Sequence, residues 1–214
     1  MKRKDVLAAV ADLAGEDTAR RQAAIAVLES IPLGFLEDHP LPRKKVAPCI
    51  PRLARLLGAD VPIVIKKWCA QLIGESGIQS PELLDSLIPA LETKDDGVLV
   101  SAIWAIGEYR AKGTAAIDAL IRHTGHPNRE VRWRAVWAIE AIRPRGQHYA
   151  EVFAKLFDDG DSLVRGYAVL GFISAATPSP WAVAQLQRAA TDADDMPRIH
   201  AQRALEQWAT ESRG

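Results

Sequence analysis

Val131-Arg132-Trp133-Arg134-Ala135-Val136-Trp137-Ala138-Ile139-Glu140-Ala141-Ile142 is one copy of a pattern that recurs at an offset of 33 residues. The other copies open at Ile65, Val98, Val164 and Pro197. With each opening residue counted as position 0, position 4 is small throughout: Cys69, Ala102, Ala135, Ala168 and Ala201. Position 7 holds Leu72, Ala105, Ala138, Gly171 and Ala204, and position 8 holds Ile73, Ile106, Ile139, Phe172 and Leu205. Residues spaced by 4, 7 and 8 share one helical stripe, and small side chains along it let neighbouring helices approach closely. A fixed period of this length marks a stack of helical units that bury their apolar faces against one another.

Three residues before four of these openings stand Asp95, Asn128, Asp161 and Asp194, with Pro62 in the remaining copy. Asp and Asn are preferred N-caps because a side-chain oxygen accepts from an orphan amide of the first helical turn. A second apolar pattern lies upstream of the caps, as in Leu84-Leu87-Ile88-Leu91 and Val152-Phe153-Leu156-Phe157. Each unit therefore reads as helix, tight turn, helix. Ala19, Ala23 and Val27 repeat the spacing near the N-terminus, after a first helix marked by Val6, Val10 and Leu13. The reading is all-α: a right-handed α-solenoid of about six helix-turn-helix repeats, forming one domain over 1–214. The repeats span about 1–31, 46–77, 80–110, 113–143, 146–176 and 179–212. An insertion loop over 32–45 falls between the first two, where Pro32, Gly34, Pro40 and Pro42 forbid a continuous helix.

Asn128, Val131, Arg132, Ala135 and Ile139, matched by Asp161, Val164, Arg165, Ala168 and Phe172, resemble the HEAT repeat. More narrowly, they look like the short HEAT-like repeats named after the phycobilisome lyases. The resemblance covers nearly the whole chain. It implies that the cation after the Val (Lys66, Arg132, Arg165, Arg198) binds a ladder of Asp side chains along the stack. Leu99 breaks that pattern, so the ladder is expected to weaken at the third repeat.

Twenty-seven Lys and Arg balance twenty-seven Asp and Glu, and 48% of residues are apolar. This composition excludes a disordered chain and removes any global argument for a polyanion coat or a membrane-surface binder. No apolar run is long enough to span a bilayer and no signal-type core follows Met1, so a soluble cytoplasmic protein is expected. Neutrality hides a polarity. Residues 43, 44, 45, 52, 55, 66 and 67 are basic against Asp60 alone, whereas Asp158, Asp159, Asp161, Asp192, Asp194 and Asp195 make late turns acidic.

The sequence offers little chemistry. Cys49 and Cys69 lack zinc-ligand spacing, and Cys69 occupies the small-residue column of a packed stripe. His123 and His126 flank Gly125 without a local acidic or Cys partner, so they read as turn residues. The chain has none of the paired His-Glu dipeptides expected of a HEAT-like di-iron hydroxylase, no phosphate loop and no nucleophile elbow. No catalytic residue, metal ligand or cofactor is expected.

The expected binding face follows from helix geometry. At about 100° per residue, positions 2, 3, 6 and 10 point away from the apolar stripe. They carry Trp68, Trp104, Trp133 and Trp137, four of the six tryptophans, together with Glu108, Arg134, Tyr167 and Leu170. Aromatic rings concentrated on such a side have the composition of a binding hot spot, although the same positions could instead fill contacts between neighbouring helices. The preferred function is a non-catalytic scaffold that binds a protein or peptide on this face. Nucleic acid and membrane are not expected partners, and self-association through the same patch is a further option. The alternative is a DNA-binding or DNA-repair HEAT-like protein, or an accessory bilin lyase. Trp104, Trp137 and Glu108 superficially resemble the groove of HEAT-like alkylpurine DNA glycosylases, but no motif of that family is present.

Overall fold

The computed structural model describes residues 2–31 and 41–211. Every regular element among them is helical. The chain divides into two compact units, Met1–Tyr109 and Arg110–Gly214, each built of three helix pairs.

In the first unit α1 (Arg3–Ala14) pairs with α2 (Thr18–Glu29). The short α3 (Arg43–Val46) and a 3-10 turn, Ala47–Cys49, lead into α4 (Ile50–Gly58), which packs on α5 (Ile63–Glu75). Next, α6 (Pro81–Leu87) is extended by the 3-10 turn Ile88–Glu92 and packs on α7 (Asp96–Gly107). The second unit opens with the turn Arg110–Ala116 before α8 (Ile117–His123), which packs on α9 (Arg129–Ile142). There α10 (Gln147–Lys155) pairs with α11 (Ser162–Ala175), and α12 (Pro180–Ala189) with α13 (Asp195–Glu211). Of the insertion expected over 32–45, residues 32–40 lie outside the described residues. Arg43 already starts a helical turn, and Leu41 and Val46 are buried.

The 33-residue columns form the core. Every position-4 residue from Cys69 to Ala201 is fully buried, and position 0 is buried in all five copies. Burial also reaches beyond the expected stripe, to position 5 (Ala70, Ile103, Val136, Val169) and position 11 (Tyr109, Ile142, Ala175, Trp208). The cause is lateral packing of second helices. Inside its own unit α5 lies against α7, and α11 lies against both α9 and α13, so a second helix is covered on its flanks as well as by its own first helix. Small residues make those flanks close. The ring of Phe153 sits where a Cβ on Gly171 would stand, 2.3 Å from it.

Local chemistry sets the helix ends. Asp17, Asp95, Asn128 and Asp161 accept backbone N–H bonds as N-caps of α2, α7, α9 and α11. Ser80 and Ser179 do the same for α6 and α12, where Pro follows at the first helical position, a place that needs no N–H donor. Position 12 ends three successive second helices in left-handed backbone: Gly77 at φ 59°, Arg110 at φ 51° and Arg143 at φ 58°. At the last of these the Arg143 N–H bonds the Ile139 and Glu140 carbonyls, a closure that glycine ordinarily provides.

Candidate protein-binding face

In the first unit the expected face consists of Trp68 on α5 and Trp104 on α7, with Glu108 just past α7. Both indoles are half-buried. The Trp104 ring reaches the backbone of α5 at Gly74, where a Cβ would stand 2.3 Å from its Cζ3. That contact between neighbouring second helices covers part of a half-buried side chain. The Trp68 Nε1 is buried with no hydrogen-bond partner among the described residues. The Glu108 main-chain carbonyl accepts from Gln79 Nε2 at 2.6 Å, which ties the end of α7 to the preceding turn.

In the second unit Trp133 and Trp137 stand on α9, one helical turn apart. The Trp133 ring stacks on Tyr167 of α11, with centroids 6.1 Å apart and planes 17° from parallel. Arg134 places its guanidinium carbon 4.6 Å from the Trp133 centroid, close enough for cation–π attraction. Glu130 holds that guanidinium in place, accepting from Arg134 Nε and Nη2 at 3.1 Å each. Trp137, Tyr167 and Leu170 are half-buried like Trp133. At the neighbouring position Gly166 is covered by the Met196 side chain, whose sulfur lies 2.4 Å from where a Cβ would be. Ile199 on α13 is 38% exposed, so this side of the unit presents apolar and aromatic surface from three second helices. The remaining tryptophans lie elsewhere: Trp181 packs against Phe172, and Trp208 is buried.

None of the four face tryptophans is fully exposed and none is fully buried. Both readings of these positions, an open face and a filled contact between neighbouring helices, are therefore met in part, most plainly at Trp104.

The Arg ladder is built in the second unit, and its carboxylates stand two residues ahead of the N-caps. Arg132 donates Nε and Nη2 to Asp159 at 3.0 and 3.2 Å, and Arg165 grips Asp192 in the same two-pronged way at 2.7 and 3.0 Å. Arg165 also reaches Asp194 at 2.5 Å and the Asp159 carbonyl at 2.8 Å. The Arg165 hydrogen bonds hold the Asp192 carboxyl below its ordinary value, and the pair raises the guanidinium in turn. Each carboxylate has a second task, since Asp159 Oδ1 and Asp192 Oδ1 accept the N–H of the following cap residue. Thr93 Oγ1 fills that place in the first unit and His126 Nδ1 fills it before α9. His126 is thus a turn acceptor, and Leu99, the residue without a cation, is fully buried.

No group of His, Cys, Asp and Glu among the described residues is arranged to hold a metal ion. Burial pushes the Cys69 thiol up to about 12, far from the thiolate a nucleophile needs. Among the described residues no helix is long and apolar enough to cross a membrane.

The family model for HEAT repeats matches residues 50–140 and 98–171, together more than half of the chain. No curated protein matches. Among solved structures, an engineered protein is 20% identical with a TM-score of 0.69, the match covering 98% of each chain. A designed armadillo repeat protein in complex with the peptide (KR)4 is 21% identical over 95% of this chain and 99% of its own, at the same TM-score. Computationally designed armadillo repeat proteins for modular peptide recognition match at 20% identity and a TM-score of 0.69, covering 94% of this chain and 98% of theirs.

Proposed function

The chain belongs to the HEAT-repeat family, and from that premise we propose that it is a non-catalytic scaffold that binds a protein or peptide partner. The binding residues are Trp68 and Trp104 on the second helices of the first unit, with Glu108 just past α7, and Trp133, Arg134, Trp137, Tyr167 and Leu170 on those of the second. One observation carries the reading. The stack of Arg134, Trp133 and Tyr167 is held rigid by Glu130 and by helix packing, yet its members stay half-exposed beside Trp137 and Leu170. Rigid aromatic surface costs little conformational entropy to bury again, which is why such residues dominate binding energies. The designed armadillo protein that holds (KR)4 supports the use of this fold for peptides.

Partly open indoles make a direct test available. Acrylamide should quench the native fluorescence to an intermediate extent, and Trp137→Phe should remove a disproportionate share of the quenchable emission. Emission typical of fully buried indoles, unaffected by acrylamide, contradicts a face open to a partner.

A further inference from the structure

A second surface lies on the other layer of the first unit, among the first helices. A groove of about 1020 Å³ runs between α4 and α6. Its floor is small and aliphatic, including Ile50, Ala54, Leu57, Leu83 and Ala90. Ile63 at its edge is 46% exposed, the more open of the two large hydrophobic residues that stand out on the described surface. Concave apolar surface of this size, with a few charged groups at its margin, is the usual form of a binding site.

The margin is electrically uneven. Arg55 and Lys66 line the end of the groove nearest the α4 C-terminus, and neither makes an ion pair among the described residues. At the other end the lining residue Ala47 directly follows α3, whose Arg43, Lys44 and Lys45 are all exposed. The opposite wall carries Glu82 and Glu92. Two cations and two carboxylates thus line the groove itself, and the excess of positive charge comes from the exposed Arg43, Lys44 and Lys45 just beyond its α3 end. The groove also has a definite length. The nine residues of α4 rise about 13 Å, and the anchors of a docking helix at i, i+4 and i+7 span about 10 Å.

We infer that this groove docks an acidic amphipathic helix of a partner protein, with three aliphatic anchors on the floor and carboxylates turned toward Arg55, Lys66 and the α3 cations. The inference stands apart from the aromatic face, which involves none of these residues.

The test uses the full chain and synthetic probes. A fluorescein-labelled helical peptide of about 15 residues carries Leu at i, i+4 and i+7 and Glu beside them. Control peptides replace every Glu by Lys or every Leu by Ser. In fluorescence anisotropy the Glu peptide should bind about tenfold or more tightly than the Lys peptide, with the gap narrowing as salt rises. The Ser peptide should not bind. Arg55→Glu with Lys66→Glu should reverse the charge preference, and Ala54→Asp should abolish binding of the Leu-Glu peptide, with circular dichroism reporting that each variant is folded. Absence of saturable binding to about 1 mM, or equal affinity for the Glu and Lys peptides, overturns the inference. So does binding that survives Ala54→Asp but is lost in Trp137→Ala, since that result assigns the peptide to the aromatic face.

Discussion

Replacing Arg165 by Leu should expose how much the ladder contributes. Arg165 makes two hydrogen bonds to Asp192, one to Asp194 and one to the Asp159 carbonyl, with its side chain 14% exposed and that of Asp192 11% exposed. A fully solvated pair would be worth about 0–1 kcal/mol, and breaking a fully buried one costs about 3–5 kcal/mol. The exposures put this pair between those limits, so Arg165→Leu should cost about 2–3 kcal/mol at pH 7. Much of that cost is the carboxylate left behind, and its turn bond to the Asp194 N–H can be made equally by an amide oxygen. Adding Asp192→Asn should therefore recover about 1 kcal/mol. The pH dependence carries a second signature. Because the folded Asp192 is the stronger acid, the ladder's stabilisation is complete above the unfolded carboxyl value of about 4 and is lost as pH falls through the folded value below it. Urea unfolding of the three proteins at pH 7 and in the acid range measures both effects. A cost under about 0.5 kcal/mol at pH 7, or acid sensitivity unchanged in the Leu variant, refutes the reasoning.

Three further outcomes follow from particular contacts. Gly74→Ala gains about 1 kcal/mol of helix propensity but drives a methyl into Trp104 and within 3.1 Å of the Ala105 Cα; overpacking of about 1–3 kcal/mol should win, and a displaced Trp104 should emit at longer wavelength. Arg143→Gly relieves left-handed backbone and should raise stability by about 1 kcal/mol, whereas Arg143→Ala should give no such gain in thermal unfolding. Burial raises the Glu140 carboxyl despite the opposing charges of Arg143 and Arg110, so its folded form is the weaker acid and stability falls as pH rises through that value. Glu140→Gln should remove that fall and stabilise the protein by up to about 1 kcal/mol at pH 7, read from paired urea titrations across the range.

The helix phases were legible because identical packing demands recur every 33 residues, and repetition makes a weak signal readable at Cys69, Ala102, Ala135, Ala168 and Ala201 together. A single-helix projection could not show what neighbours would cover. Position 5 and position 11 are buried by lateral packing, and the same packing wedges Trp104 onto Gly74. The left-handed helix ends were not read from the sequence: Gly77 suits such backbone, but Arg110 and Arg143 in the same phase adopt it against residue preference. His126 was legible as a turn residue, but its task of accepting the Asn128 N–H was not, because a histidine fills there a place that Thr93 or Asp159 holds before other helices. The groove between α4 and α6 was invisible because it depends on how two first helices are spaced, which the periodic pattern of the second helices does not encode.

The central claim is that the aromatic side of the second helices holds a partner. Affinity capture with the wild-type chain and a Trp104→Ala/Trp137→Ala bait of matched circular dichroism, followed by titration of the captured protein, tests it most directly. A partner that the wild type retains and the double variant loses, with Trp137→Ala alone weakening binding by about 2 kcal/mol or more, is the result expected. The same partner bound with equal affinity by both baits contradicts the account.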